Sequence, residues 1–208
     1  MSSENEKLVI FDFDGVLANT EEFCFKIHKD FNGSLTWEKF QSFAEGNFHD
    51  GIEKVVKEES YIIPPNFYKF YEKNLSVISI HDVIRNTIFC LKDKYRLAIV
   101  SSTNSSYISN FLKKEKVSDC FNEILGHDVH FSKVVKINIL LNKYKIKPEN
   151  VIFITDSLGD LIESNKCKVH SVGVTWGLHG REILGKENVD AVIDDPRDLL
   201  ETIQNVLK

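Results

Sequence analysis

The chain has 208 residues, with 26 Lys and Arg against 31 Asp and Glu, a formal net charge of −5, and 42% hydrophobic residues. That composition fits one ordinary globular core, with or without an insertion, and excludes an intrinsically disordered chain. The acidic balance argues against a nucleic-acid partner, and no apolar run approaches the ~20 residues that span a bilayer.

The opening segment MSSENEKLVIFDFDG is polar and acidic before one short apolar run, unlike a secretory signal. Cys24, Cys90, Cys120 and Cys167 are scattered, without CxxC or zinc spacing. They read as free thiols in a reducing compartment, so a cytoplasmic location is expected.

In chain order, the sequence alternates short β-type runs with longer helical ones, as in a parallel sheet covered by helices. Residues 7–12 (KLVIFD) form a continuous apolar strand ending in a carboxylate. Residues 17 to about 78 contain no convincing strand, only helical pieces at Thr20–Phe31, Thr36–Glu45, Gly51–Ser60 and Pro65–Ser76, with a break at Ile63-Pro64-Pro65. A helix over His81–Lys92 presents Val83, Ile84, Ile88 and Leu91 on one face. Strand 96–100 (RLAIV) ends at Ser101, and a third apolar segment covers Phe121–Leu125. A second amphipathic helix follows over Val134–Tyr144, then strand 151–155 (VIFIT) ending at Asp156. Strands at 168–175 and 190–194 precede a final helix with Pro196 near its start. The expected architecture is α/β: a Rossmann-like parallel sheet core, residues 1–16 and 79–208, with a small α-helical cap domain inserted at 17–78.

Ligands of open parallel sheets bind beyond the carboxyl ends of the strands. Asp12, Asp14, Ser101, Asp156 and Asp160 therefore converge on one site, and Lys133 can reach it from a helix start. Several carboxylates in one pocket repel one another unless a cation joins them, and Mg²⁺ is the usual hard cation beside phosphate. Ser101 and Lys133 add donors for phosphoryl oxygens, and Gly15 frees the backbone to turn its amides toward an anion. The seven histidines show no HxH or HExxH spacing and read as surface or core residues, as do Trp37 and Trp176 as packing.

FDFDGVLANTEE resembles the first motif of the haloacid dehalogenase-like superfamily. IVSS, Lys133 within HFSK, and ITDSLGD resemble its second, third and fourth motifs, in order. The likeness runs from about residue 7 to 195, the insertion resembles a cap of the C1 type, and VGVTWGLHG is similar to phosphoglycolate phosphatase-like members. The resemblance implies an Mg²⁺-dependent phosphatase acting on a small phosphorylated metabolite. Asp12 would be the nucleophile that forms an aspartyl-phosphate, and Asp14 the acid and then the base. Mg²⁺ would be held by Asp12, the Asp14 carbonyl and Asp156. Ser101, Ser102 and Lys133 would bind the phosphoryl group, with Asp160 supporting the metal shell or Lys133.

The chain departs from the pattern at three places. Thr155 stands where Gly is common and is expected to crowd the metal side. Ser102 replaces a frequent Asn. Lys133-Val134 replaces Lys-Pro, which makes Lys136 a competing assignment; Lys133 is preferred because its distance to Pro148 fits the family's helix length. Asp14 disfavours a dehalogenase, which needs no acid for a leaving alkoxide. Cys24 stands where the β-phosphoglucomutase-like branch has His. A phosphotransferase or phosphosugar mutase remains the alternative, and a non-catalytic binding protein a further one.

Specificity is expected in the turn Glu45–Gly51, with its glycines as hinge points and with Asn47 and His49 facing the leaving group. The four arginines are Arg85, Arg96, Arg181 and Arg197, none of them in the insertion, so a carboxylate clamp is missing and a sugar or other neutral alcohol is favoured. The expected partner is a small-molecule phosphate ester, with neither nucleic acid nor membrane, and the expected state is a monomer or homodimer.

Overall fold

The computed structural model describes residues 7–208. Six parallel strands form one sheet: β1 (Leu8–Phe11), β2 (Arg96–Val100), β3 (Glu123–Leu125), β4 (Val151–Thr155), β5 (His170–Val174) and β6 (Ala191–Ile193), in the order β3-β2-β1-β4-β5-β6. β1 lies at the centre, with Val9 opposite both Leu97 and Ile152. All four of its residues are fully buried, which explains the unbroken apolar run.

The period-2 alternation of each strand supplies two cores. Val9, Phe11, Leu97, Ile99, Ile152 and Ile154 face one layer, which includes Ile84 and Ile88 of α5 (Asp82–Lys92), Ile108 and Leu112 of α6 (Ser105–Lys114), and Ile203 of the last helix. Leu8, Ile10, Ala98, Val100 and Phe153 face the other, with Ile137 and Leu140 of α7 (Lys133–Tyr144) and Cys167 of α8 (Leu158–Cys167). After β5, α9 (Arg181–Leu184) leads to β6. Pro196 opens a short 3₁₀ turn, Pro196–Asp198, that feeds α10 (Leu199–Val206), one turn later than a helix started by Pro196 itself.

Between β1 and α5 the chain forms four helices: α1 (Glu21–Phe31), α2 (Trp37–Ser42), α3 (Phe48–Glu58) and α4 (Phe67–Leu75). They carry a separate apolar cluster of Leu35, Phe40, Phe43, Val55 and Tyr61. The two prolines lie in the non-helical stretch before α4, which Asn66 opens from the left-handed region.

One expected boundary is wrong in an instructive way. α3 begins at Phe48, not Gly51, because the Asn47 side chain accepts from the amides of His49 and Asp50 and caps the helix. Gly51 therefore sits inside a helix and is no hinge. A Cβ there would stand 2.3 Å from the Phe43 carbonyl oxygen, so its smallness serves close packing. All four cysteines are free, and no helix among the described residues is long and apolar enough to cross a membrane.

Candidate active site

The strand order reverses direction at β1, whose neighbours are β2 and β4, and the crevice of such a sheet opens beyond the strand ends at that point. Asp12 follows β1 directly, and its amide donates to the Ile154 carbonyl at 2.9 Å, so its backbone is an extension of the sheet. One carboxylate oxygen accepts from the Phe13 amide at 2.7 Å, and the other meets the Lys133 ammonium at 2.7 Å. Lys133 also reaches Asp160 at 2.5 Å, and Asp160 accepts from the Thr155 hydroxyl at 2.7 Å. Thr155, expected to crowd the site, is thus engaged with Asp160.

Of the two candidate lysines, Lys133 is the one beside Asp12. Lys136 is fully buried behind it, donating to the Ser101 carbonyl at 2.5 Å. Burial and the neighbouring Lys133 ammonium push the Lys136 amine down to about 8. Burial opposes the charge on Lys133, but Asp12 and Asp160 raise its amine above the ordinary range. Burial alone would raise Asp160, yet Lys133 and the hydrogen bonds around it hold its carboxyl low. Glu163 fixes the start of α7, accepting from the Ser132 hydroxyl at 2.9 Å and the Lys133 amide at 3.1 Å. This carboxylate at a helix N-terminus holds Lys133 in place.

Asp14 is enclosed by hydroxyls. One oxygen accepts from Thr20 and Tyr71, each at 2.7 Å, and the other from Thr103 at 2.7 Å. Tyr71 comes from α4, so the helical insertion touches a carboxylate two residues from Asp12. None of these three hydroxyls was expected from the sequence. Thr20 alone lies inside a recognisable motif.

Asp156 directly follows β4, and its carboxylate accepts from the Leu178 amide at 2.7 Å. Two glycines make room for it. A Cβ on Gly15, whose φ is +70°, would stand 1.7 Å from the Asp156 carboxylate, and one on Gly177 would stand 2.3 Å from it. Glu21, a further buried acid, also borders this space. Burial pushes Asp156 well above the usual carboxylate range, and the charges of Glu21 and Asp12 add to the shift. Burial likewise raises Asp12, against the pull of Lys133, and raises Glu21 to about 8.

These shifts share one meaning. Asp12, Asp156 and Glu21 are crowded acids, and Lys133 is the only Lys or Arg side chain among the residues lining the cavity. The donor set is all oxygen, and glycine holds open the space beside Asp156. A hard divalent cation fits it. Among the described residues no three His, Cys, Asp or Glu side chains form a ready-made metal cage.

A cavity of about 160 Å³ joins the site to the helical insertion. Asp12, Asp14, Ser102, Lys133, Asp156 and Asp160 line it. Ser101 lies behind that wall: it is fully buried, and its hydroxyl oxygen accepts from the Thr103 amide at 3.0 Å. His49 lines the cavity, with its Nε2 buried and without a hydrogen-bond partner. Asn47, besides capping α3, lies 3.4 Å from both Glu163 and the Phe131 carbonyl, which ties the insertion to the loop before α7.

A second tie joins the same two regions. The Gly159 amide at the start of α8 donates to the Ala44 carbonyl at 2.8 Å, and a Cβ on Gly159 would stand 1.8 Å from the Gly46 carbonyl oxygen. The two approaches hold residues 44–47 against the elements that carry Lys133 and Asp160.

Strand-end acids around a buried lysine, at the switch point of a parallel sheet, define a phosphoryl-transfer type of site. The haloacid dehalogenase-like hydrolase model matches residues 9–174, and the chain belongs to that family. It is 23% identical over 211 residues to the pyrophosphatase PpaX of Bacillus thuringiensis, covering 95% of this chain and 96% of the relative. It is 25% identical over 142 residues to the phosphoglycolate phosphatase of Vibrio cholerae, covering 66% of this chain and 63% of the relative. A haloacid dehalogenase-like family hydrolase from Streptococcus pneumoniae shares the fold, with a TM-score of 0.78 at 19% identity, covering 96% and 99% of the two chains.

Proposed function

We propose that the protein is a phosphatase that removes a phosphoryl group from a small phosphorylated metabolite through an aspartyl-phosphate on Asp12. The observation that carries this reading is the Lys133 ammonium, 2.7 Å from Asp12 and 2.5 Å from Asp160 at the ends of the central strands. An Asp12 oxygen attacks phosphorus as the bond to the leaving oxygen breaks. Asp14 supplies the proton to that oxygen. Water then attacks the phosphorus, Asp14 takes the proton, and the bond to Asp12 breaks. Lys133 and the backbone amide of Asp14 offset the charge that develops on the phosphoryl oxygens, whereas the Gly15 amide is held by the Ala18 carbonyl at 2.8 Å. Ser102 offers a hydroxyl at the cavity wall, and Ser101 is buried behind it.

Asp12, Asp156 and the Asp14 carbonyl would hold Mg²⁺, which supplies positive charge beside the phosphoryl oxygens. Residues 17–78 act as a cap: with Tyr71 on Asp14 and Ala44–Asn47 against α7 and α8, they enclose the reacting atoms and exclude water.

The test is phosphate release from para-nitrophenyl phosphate. Turnover should require Mg²⁺, stop in EDTA, and be absent in Asp12→Asn. Equal turnover by Asp12→Asn would refute the covalent route.

A further inference from the structure

We infer that the leaving group of this phosphatase is a small, uncharged, mainly hydrocarbon alcohol, and that the cap selects it against anionic and polyhydroxylated leaving groups. The inference rests on the phosphatase reading of the same site. It comes from what the cap half of the cavity contains.

The phosphoryl group belongs at the end lined by Asp12, Lys133, Ser102 and Thr103. The opposite wall, built by the insertion, includes Cys24, His28, Phe40, Phe48, Phe67 and Tyr68, and Leu178 adds to it from the core. It contains no Lys or Arg. The cavity's one cation, Lys133, already pairs with Asp12 and Asp160. Glu21 adds a carboxyl group to the same space. A second phosphate, or the carboxylate of a phosphorylated hydroxy acid, would be buried beside aromatic rings with no partner. An unpaired buried charge is strongly disfavoured.

Two of the polar groups facing this space are also engaged. The Tyr71 hydroxyl donates to Asp14. His28 Nδ1 is 2.5 Å from the Tyr61 hydroxyl, and burial keeps its imidazole neutral, pushed down to about 4. Burial also keeps the Cys24 thiol protonated. His49 Nε2 is the one buried side-chain nitrogen or oxygen on the cavity wall without a partner. Besides His49 Nε2, the wall offers only the Tyr68 hydroxyl and the Cys24 thiol among aromatic rings, a sparse set for a sugar that carries several hydroxyls. A space of 160 Å³ is close to the size that holds a benzene ring, roughly 150 Å³. That space includes the acidic end, so with the phosphoryl group seated there only a small leaving group has room inside.

The experiment compares kcat/KM for benzyl phosphate, phosphoglycolate and glycerol 1-phosphate. All three release alkoxides of similar basicity, so differences report the cap. Pyrophosphate and glucose 6-phosphate complete the set, and acetyl phosphate, with its compact leaving group, checks the core chemistry. The expected result is benzyl phosphate at least tenfold above each of the others except acetyl phosphate. A Phe48→Arg variant, which places a cation on the same wall, should narrow the gap with phosphoglycolate. If acetyl phosphate is hydrolysed but phosphoglycolate, pyrophosphate or a sugar phosphate equals or exceeds benzyl phosphate, the leaving-group inference is overturned and the phosphatase reading survives. If acetyl phosphate is not hydrolysed in the presence of Mg²⁺, both fall.

Discussion

Tyr71→Phe removes a single hydroxyl and keeps the ring that packs against Phe23 and Phe67, at 5.6 and 5.7 Å between centroids. Asp14 then loses one of three hydroxyl donors and keeps Thr20 and Thr103. A hydrogen bond to a charged group contributes about 1.5–3 kcal/mol, and the two remaining donors put this loss near the lower end. About 1.4 kcal/mol is a tenfold change in rate. If Tyr71 aligns Asp14 to protonate the leaving oxygen, kcat/KM should fall about tenfold for an alkyl phosphate. It should change little for para-nitrophenyl phosphate, whose leaving group departs without a proton. Steady-state kinetics on the two substrates, with a thermal melt as a folding control, decide the matter. An equal fall on both would mean that Tyr71 only holds the cap together, and the positioning role would be refuted.

Gly15→Ala should abolish metal-dependent turnover even where the protein folds. The residue sits at φ +70°, and its Cβ would meet the Asp156 carboxylate; Mg²⁺ titration by calorimetry would register the lost site. Stability should fall on acidification. His28 is neutral in the fold, pushed down to about 4 from 6.5, so the unfolded chain binds the proton first and gains about 2 kcal/mol of relative stability by pH 5. Denaturant unfolding at pH 7 and 5 should show a shallower fall in His28→Phe, and identical slopes would count against the assignment. In EDTA the crowded acids act in the opposite direction. Glu21, raised to about 8 by burial, keeps a proton that the unfolded chain releases above about 4.5, so its contribution is lost as pH rises through that window. Mg²⁺ should therefore raise the melting temperature more at pH 8 than at pH 6.

The sheet and the strand-end acids were legible because both rest on local signals. A run such as VIFIT must be buried on two faces, and a carboxylate straight after it must sit at the carboxyl end of the sheet. Lys133 and Lys136 differ in side-chain reach, which the sequence does not give: both are buried on α7, yet one ammonium meets Asp12 and the other a backbone carbonyl. Tyr71 was invisible as a site residue because its partner lies 57 residues away and an aromatic at helical spacing reads as core. Thr103 and Glu163 were missed for a related reason, since each acts on a residue from another element. The start of α3 was misplaced because the glycine at 51 outweighed the Asn47 cap, although an Asn two or three residues before free amides was the better signal.

The strand order also has a consequence for how the chain is made. Asp12 belongs to the first strand, yet β1 finds one neighbour only at Arg96 and the other only at Val151. A growing chain therefore carries a wholly apolar central strand that is unpaired until Arg96 is made and paired on one side only until Val151 is made. The helices of the insertion emerge next and can settle through local contacts, whereas the sheet must wait for pairings of long sequence separation. Asp12, Lys133 and Asp156 come together only when β4 has docked. Chains cut short before that point would carry the FDFDG segment without Asp156 beside it, and would leave one side of β1 unpaired.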